Sequence, residues 1–122
     1  MLKIWFLRLA GIYFLIGVGL GYAMSITENF GQMPVHAHVN LLGWVSMALF
    51  SLVYFARPEA ADTRLAKAHF TLYNIGLPIM AVALSLFLSG TKAAGPVIGL
   101  GATLVILGII CFVTNLFRQI KA

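Results

Sequence analysis

Four apolar runs, about Leu9–Met24, Pro34–Phe55, Ala68–Leu88 and Gly95–Phe117, take up most of this chain and leave only short polar breaks between them. A helix needs roughly 20 apolar residues to cross a hydrocarbon core of about 30 Å. The first run is the shortest, and Ile4, Trp5 and Phe6 supply its missing turn. Inside lipid every backbone amide must be satisfied within its own segment, so these runs read as helices. The expected fold is all-α: an integral membrane four-helix bundle, one domain over residues 1–122, with helices at about 4–24, 34–55, 66–88 and 95–117. Charge agrees with this. Only 9% of the residues are charged, against about a quarter in a soluble domain, and the mean hydropathy is +1.00.

The few charges choose an orientation. Lys3 and Arg8 precede or open the first helix, Arg57, Arg64 and Lys67 lie between the second and third, and Arg118 and Lys121 follow the fourth. The other two loops hold only Lys92 and Glu28. By the positive-inside rule both termini and the Arg57–Lys67 loop are expected in the cytoplasm, in a multi-pass protein of the cell inner membrane. The first helix reads as a retained signal anchor, although its basic start and Ala23 resemble a cleavable signal. The net charge of +5 comes from residues spread singly between apolar runs. With no basic stripe or aromatic-interleaved patch, nucleic acid is not an expected partner.

Glycines recur four apart, at Gly17 and Gly21 and again at Gly95 and Gly99. Small residues at that spacing let helix backbones approach closely. They serve either packing within the chain or contact with a second copy. Cys111 is a single cysteine within the last run, without a disulfide partner or a Cys-x-x-Cys-His motif for covalent haem, and reads as helix packing.

Three histidines remain to carry chemistry: His36, His38 and His69. Pro34 suits the first turn of a helix, which brings His36 and His38 into the membrane near its outer side. Ionisable groups at that depth mark functional sites by default, and neutral imidazole is the commonest metal ligand. Residues two apart lie about 200° apart around a helix, so the pair points to two neighbouring sites and not to one chelate. Asn40, four residues after His36, is placed to orient that ring. The alternative is a pair of interfacial histidines bonded to water and backbone.

The segment His36-Ala37-His38, then Leu42-Gly43-Trp44-Val45-Ser46-Met47, with Phe50, Tyr54 and Pro58 beyond, resembles the catalytic subunit of C-family haem–copper oxidases. Ala68-His69-Phe70 and Ile75-Gly76 extend the likeness into the third helix, and the related nitric oxide reductases carry a similar His-x-His. It spans roughly residues 35–88, less than half of the family's helices. The resemblance implies that the position of His36 binds a high-spin haem and that of His38 a low-spin haem, from opposite helix faces. It implies non-covalent haem b as cofactor, with copper as an alternative. The family's binuclear centre takes more histidines than this chain has, so one copy is not expected to form an oxygen reductase.

His69 begins the third helix at the opposite membrane face. It and His38 each sit about 6 Å inside their helix ends, leaving well over roughly 10 Å between them across a core of about 30 Å. Axial nitrogens on one iron are only about 4 Å apart. His69 is therefore expected to hydrogen-bond at the inner interface. Met24 and Met33 flank the first loop and are further candidate iron ligands, or else loop-edge apolar contacts. Trp5 and Tyr22 read as interfacial belt residues. Trp44 either packs on a porphyrin edge or packs helix on helix.

The expected function is a haem b membrane protein for electron transfer or for binding a diatomic gas, O2 or NO. Its site is expected to be completed by a second copy in a homo-oligomer, as neither helix face offers a second histidine at that level. Competing readings are an accessory or assembly component of a respiratory complex, and a copper- or zinc-handling protein using His36 and His38.

Overall fold

The computed structural model describes residues 1–121. It contains four long apolar helices, each able to span a membrane: α1 (Leu2–Thr27), α2 (Met33–Ala56), α3 (Arg64–Leu88) and α4 (Gly95–Gln119). This is a multi-pass, all-α membrane protein. Large apolar side chains such as Leu15 (77% exposed) and Phe117 (84%) stand on the outside, where hydrocarbon replaces water as the solvent.

Local chemistry sets the helix ends. Glu28 closes α1 in the left-handed conformation, φ 52°. Pro34 lies in the first turn of α2, where its missing N–H costs nothing. A single helical turn, Pro58–Ala61, fills the loop before α3, and the Thr63 hydroxyl caps α3 by accepting from the Ala66 amide at 2.9 Å. α3 runs through Pro78 without ending, as transmembrane helices can.

The helices pair as two antiparallel hairpins. In the α3–α4 hairpin the backbones nearly touch: a methyl group built on Gly101 would lie 2.5 Å from the Met80 backbone nitrogen, and one on Gly76 would lie 2.7 Å from the Gly101 carbonyl oxygen. In the α1–α2 hairpin, Gly17 and Gly21 receive side chains of α2. Of the two uses expected for the Gly17–Gly21 face, it is packing within the chain that is found, and a second copy is not what fills it, because α2 of the same chain occupies it. Gly99 has nothing within 4 Å.

The hairpins meet in an aromatic core at the end of the bundle that carries most of the basic residues, here the basic end. Phe6, Phe50 and Tyr54 from the first hairpin pack on His69, Tyr73 and Phe112 from the second. Burying aromatic side chains edge-to-face adds about 0.5–1.5 kcal/mol per pair beyond their area. Polar clasps fix the docking. The Tyr73 hydroxyl donates to the Leu42 carbonyl at 2.9 Å, and Gln32 donates to the Ser89 hydroxyl at 3.1 Å. Asn115, fully buried on α4, accepts from the Thr63 hydroxyl at 2.8 Å and donates to the Ala60 carbonyl at 2.7 Å, tying the Arg57–Thr63 loop down.

One feature departs from the expected plain helix. Val39–Val45 of α2 is wound as a π-helix, and the Ser46 amide reaches five residues back to the Leu41 carbonyl. The buried residues Val35, Val39, Gly43 and Met47 recur every four positions. On an α-helix of 3.6 residues per turn that spacing would drift by about 120°. The wider π turn absorbs the drift, and the Ser46 and Tyr73 hydroxyls donate to the displaced carbonyls of Leu41 and Leu42.

Candidate functional site

The first turns of α2 place His36 and His38 at the end of the bundle remote from the basic residues, immediately before the π turn. π turns are frequent at functional sites. His36 is half-buried and faces α1, where Gly21 makes room for the ring: a methyl group there would lie 2.8 Å from His36 Cε1. Nδ1 of His36 stands 2.7 Å from the Gly17 carbonyl oxygen. A carbonyl can only accept, so Nδ1 carries the proton and Nε2 is left as the lone-pair nitrogen.

Asn40 sits beside this ring, but its role differs from the one expected. Its amide nitrogen lies 3.2 Å from Nδ1 and 2.8 Å from the His36 carbonyl oxygen. With the Nδ1 proton given to Gly17, the Asn40 amide bonds the carbonyl. The ring is thus oriented by Gly17, and Asn40 fills the space over that glycine, where a methyl group would lie 2.6 Å from Oδ1.

His38 is exposed on the outer side of α2. Its Nδ1 is 2.7 Å from the Pro34 carbonyl oxygen, which again places the proton on Nδ1 and frees Nε2. Beside it is a shallow hollow of about 250 Å³, lined by Ala37, His38, Leu41 and Leu42, all of α2. Both imidazoles therefore share one electronic state: Nδ1–H held by a main-chain carbonyl, and Nε2 without a hydrogen-bond partner among the described residues. Metal-ligating histidines have this arrangement, with the second nitrogen anchored and the basicity of the first raised.

The other candidates fall elsewhere. Met24 is buried and Met33 is 45% exposed at the start of α2, and neither is a polar partner of His36 or His38. Trp44 packs helix on helix, with its ring centroid 4.4 Å from that of Phe14. The expected interfacial position of His69 is corrected. His69 is fully buried in the aromatic core because it shares the inward stripe of α3 with Tyr73, Gly76, Leu77 and Met80.

Nδ1 of His69 lies 2.9 Å from the Tyr54 hydroxyl, and its Nε2 is buried without a polar partner. Phe6, Phe50 and Phe112 surround the ring at centroid distances of 4.9, 4.5 and 5.0 Å. His69 is 0% exposed, so neither ring nitrogen is open to a metal group. Tyr54 is 16 residues beyond His38 along α2, or roughly 20 Å, which keeps His69 far from the histidine pair.

Sequence reasoning did not find the Tyr54–His69 bond, the Asn115 clasp or the Gly17 carbonyl acceptor. Among the described residues no three His, Cys, Asp or Glu side chains gather in a metal-binding group. For haem the test is different, since one nitrogen on each axial side suffices. The Nε2 atoms of His36 and His38 carry the lone pair that such a group needs, and a hollow lined by α2 adjoins His38. Against family models, curated proteins and solved structures alike, the chain returns no match.

Proposed function

We propose that this chain is a haem b-binding protein of the cell inner membrane, serving electron transfer or diatomic gas binding, with both termini in the cytoplasm. One observation carries the reading: His36 and His38 both have Nδ1–H bonded to a main-chain carbonyl, at 2.7 Å in each case, with Nε2 free. The resemblance of the surrounding segment to haem–copper oxidase subunits supplies the kind of metal group.

The residues that would hold the group are His36 and His38 through Nε2. Bound haem supplies a reversible one-electron couple or a gas-binding iron, according to its axial ligation. Gly17 and Pro34 hold the two rings in orientation, and the Leu41 and Leu42 side chains exclude water beside His38. Because α2 alone lines the hollow at His38, a second copy would complete that site and supply a further ligand. The test is the visible spectrum of the purified protein with a pyridine haemochrome assay. A Soret band with stoichiometric haem b supports the reading, and a colourless preparation that takes up no haem on reconstitution overturns it.

A further inference from the structure

At the basic end, the start of α1 and the start of α3 enclose a hollow of about 270 Å³, whose walls include Leu2, Trp5, Asp62, Lys67 and Phe70. We propose that this hollow binds the headgroup of an anionic, hydroxyl-bearing phospholipid of the phosphatidylglycerol class. Three features define the ligand. Its walls are apolar and aromatic where they continue into the membrane, through Leu2, Trp5 and Phe70, and so suit the upper part of an acyl chain. Trp5 is 45% exposed, as an aromatic at the headgroup level is.

The charges specify the headgroup. Lys67 is exposed and pairs with no carboxylate among the described residues; their one ion pair joins Arg57 to Glu59 at 3.1 Å. The Arg8 guanidinium lies 5.2 Å from the Trp5 ring centroid, adding a second cation beside the same wall. Lys67 takes the phosphate charge with Arg8 behind it, and Asp62 accepts a hydrogen bond from a headgroup hydroxyl. Asp62 would repel an inorganic phosphate or a phosphatidate, whose charge sits on the group brought against it, whereas a glycerol headgroup offers it a neutral hydroxyl. An ethanolamine ammonium would also satisfy Asp62, but seven Lys and Arg residues against Glu59 and Asp62 at this end favour a lipid of net negative charge.

The experiment is a titration of the full chain in a neutral detergent, read by native mass spectrometry, with phosphatidylglycerol, phosphatidylethanolamine, phosphatidylcholine and inorganic phosphate as separate probes. One equivalent of phosphatidylglycerol should bind at least about fivefold more tightly than either zwitterionic lipid, and Lys67→Ala should weaken it about fivefold. Lys121→Ala, at the end of the chain and outside the hollow, should leave it unchanged. Equal binding of all three lipids, equal effects of the two lysine changes, or displacement of the lipid by inorganic phosphate would each overturn the assignment. Far-ultraviolet circular dichroism on every variant separates loss of the site from loss of the fold.

Discussion

The imidazole of His36 reaches across to the neighbouring helix and gives its Nδ1 proton to the Gly17 carbonyl oxygen, 2.7 Å away, with Gly21 leaving the space for the ring. The Gly-x-x-x-Gly pattern of α1 is thus the cradle of a His-x-x-x-Asn pattern on α2. Backbone approach and ligand orientation are one arrangement, which makes α1 part of the site although it contributes no ligand.

Gly21→Leu should therefore damage the site before the fold. The new side chain must displace the His36 ring, an overpacking that costs about 1–3 kcal/mol. Haem content per protein should fall by more than half under the proposed function, while Gly99→Leu, on an open surface, should leave it unchanged. Haem quantitation on the two purified variants checks this.

His38→Ala should remove or shift the Soret band of the low-spin species, and His36→Ala should remove its own haem contribution. His69→Ala should leave the spectrum largely intact and instead lower stability by about 3 kcal/mol, through the cavity and the orphaned Tyr54 hydroxyl. Spectra and thermal unfolding in detergent, run on the same three variants, separate the roles. Haem lost only in the His69 variant would contradict the tautomer argument.

Gly101→Ala places a methyl group 2.5 Å from the Met80 backbone nitrogen, where no side-chain rotation can relieve it. The α3–α4 hairpin must open, and the midpoint of thermal unfolding should fall by several degrees. Gly11→Ala, with nothing within 4 Å, is the control.

Asn115→Leu removes both bonds that hold the Arg57–Thr63 loop, leaving the Thr63 hydroxyl and the Ala60 carbonyl only their long 3.4 Å bond to each other, at about 1–3 kcal/mol. The loop should become cleavable by trypsin after Arg64 in detergent-solubilised protein, at least tenfold faster than in the parent chain. Equal cleavage rates would show that the clasp does not restrain it.

Topology is checked with reporter fusions. Those at Gln32 and Thr91 should report periplasmic and one at Ala60 cytoplasmic, from the distribution of Lys and Arg. A cytoplasmic Gln32 fusion would invert the proposed orientation.

The four spans were legible in the sequence because hydropathy and length constrain a membrane chain so tightly, and the helices extend past the expected ends by at most three residues. The i, i+2 spacing of His36 and His38 was equally legible, and its two faces are realised: one ring against α1, the other exposed. What escaped depends on tertiary approach. Nothing local to His69 tells an interfacial imidazole from one sealed among Phe6, Phe50 and Phe112, since that depends on how two hairpins dock. The Gly17 carbonyl could not be found because main-chain acceptors leave no mark in composition. The π turn escaped as well: the four-residue rhythm from Val35 to Met47 shows only once burial is known, because apolar residues fill most of the positions between.

That underwound turn makes the length of α2 a specification in its own right. It sets the angular phase between the histidine end and the aromatic end, so the two are geared through a count of residues and not through any side chain. Inserting one residue between Val39 and Val45 would leave every core residue in the chain, yet turn one end against the other by about 100°. With Tyr54 held by His69, the motion falls on His36, which swings off Gly21. Deleting one residue there would instead relax the stretch to plain α-helix, whose steps of about 100° bring Val35 and Met47 back to nearly the same phase. An insertion in this stretch should thus be more damaging than most substitutions within it.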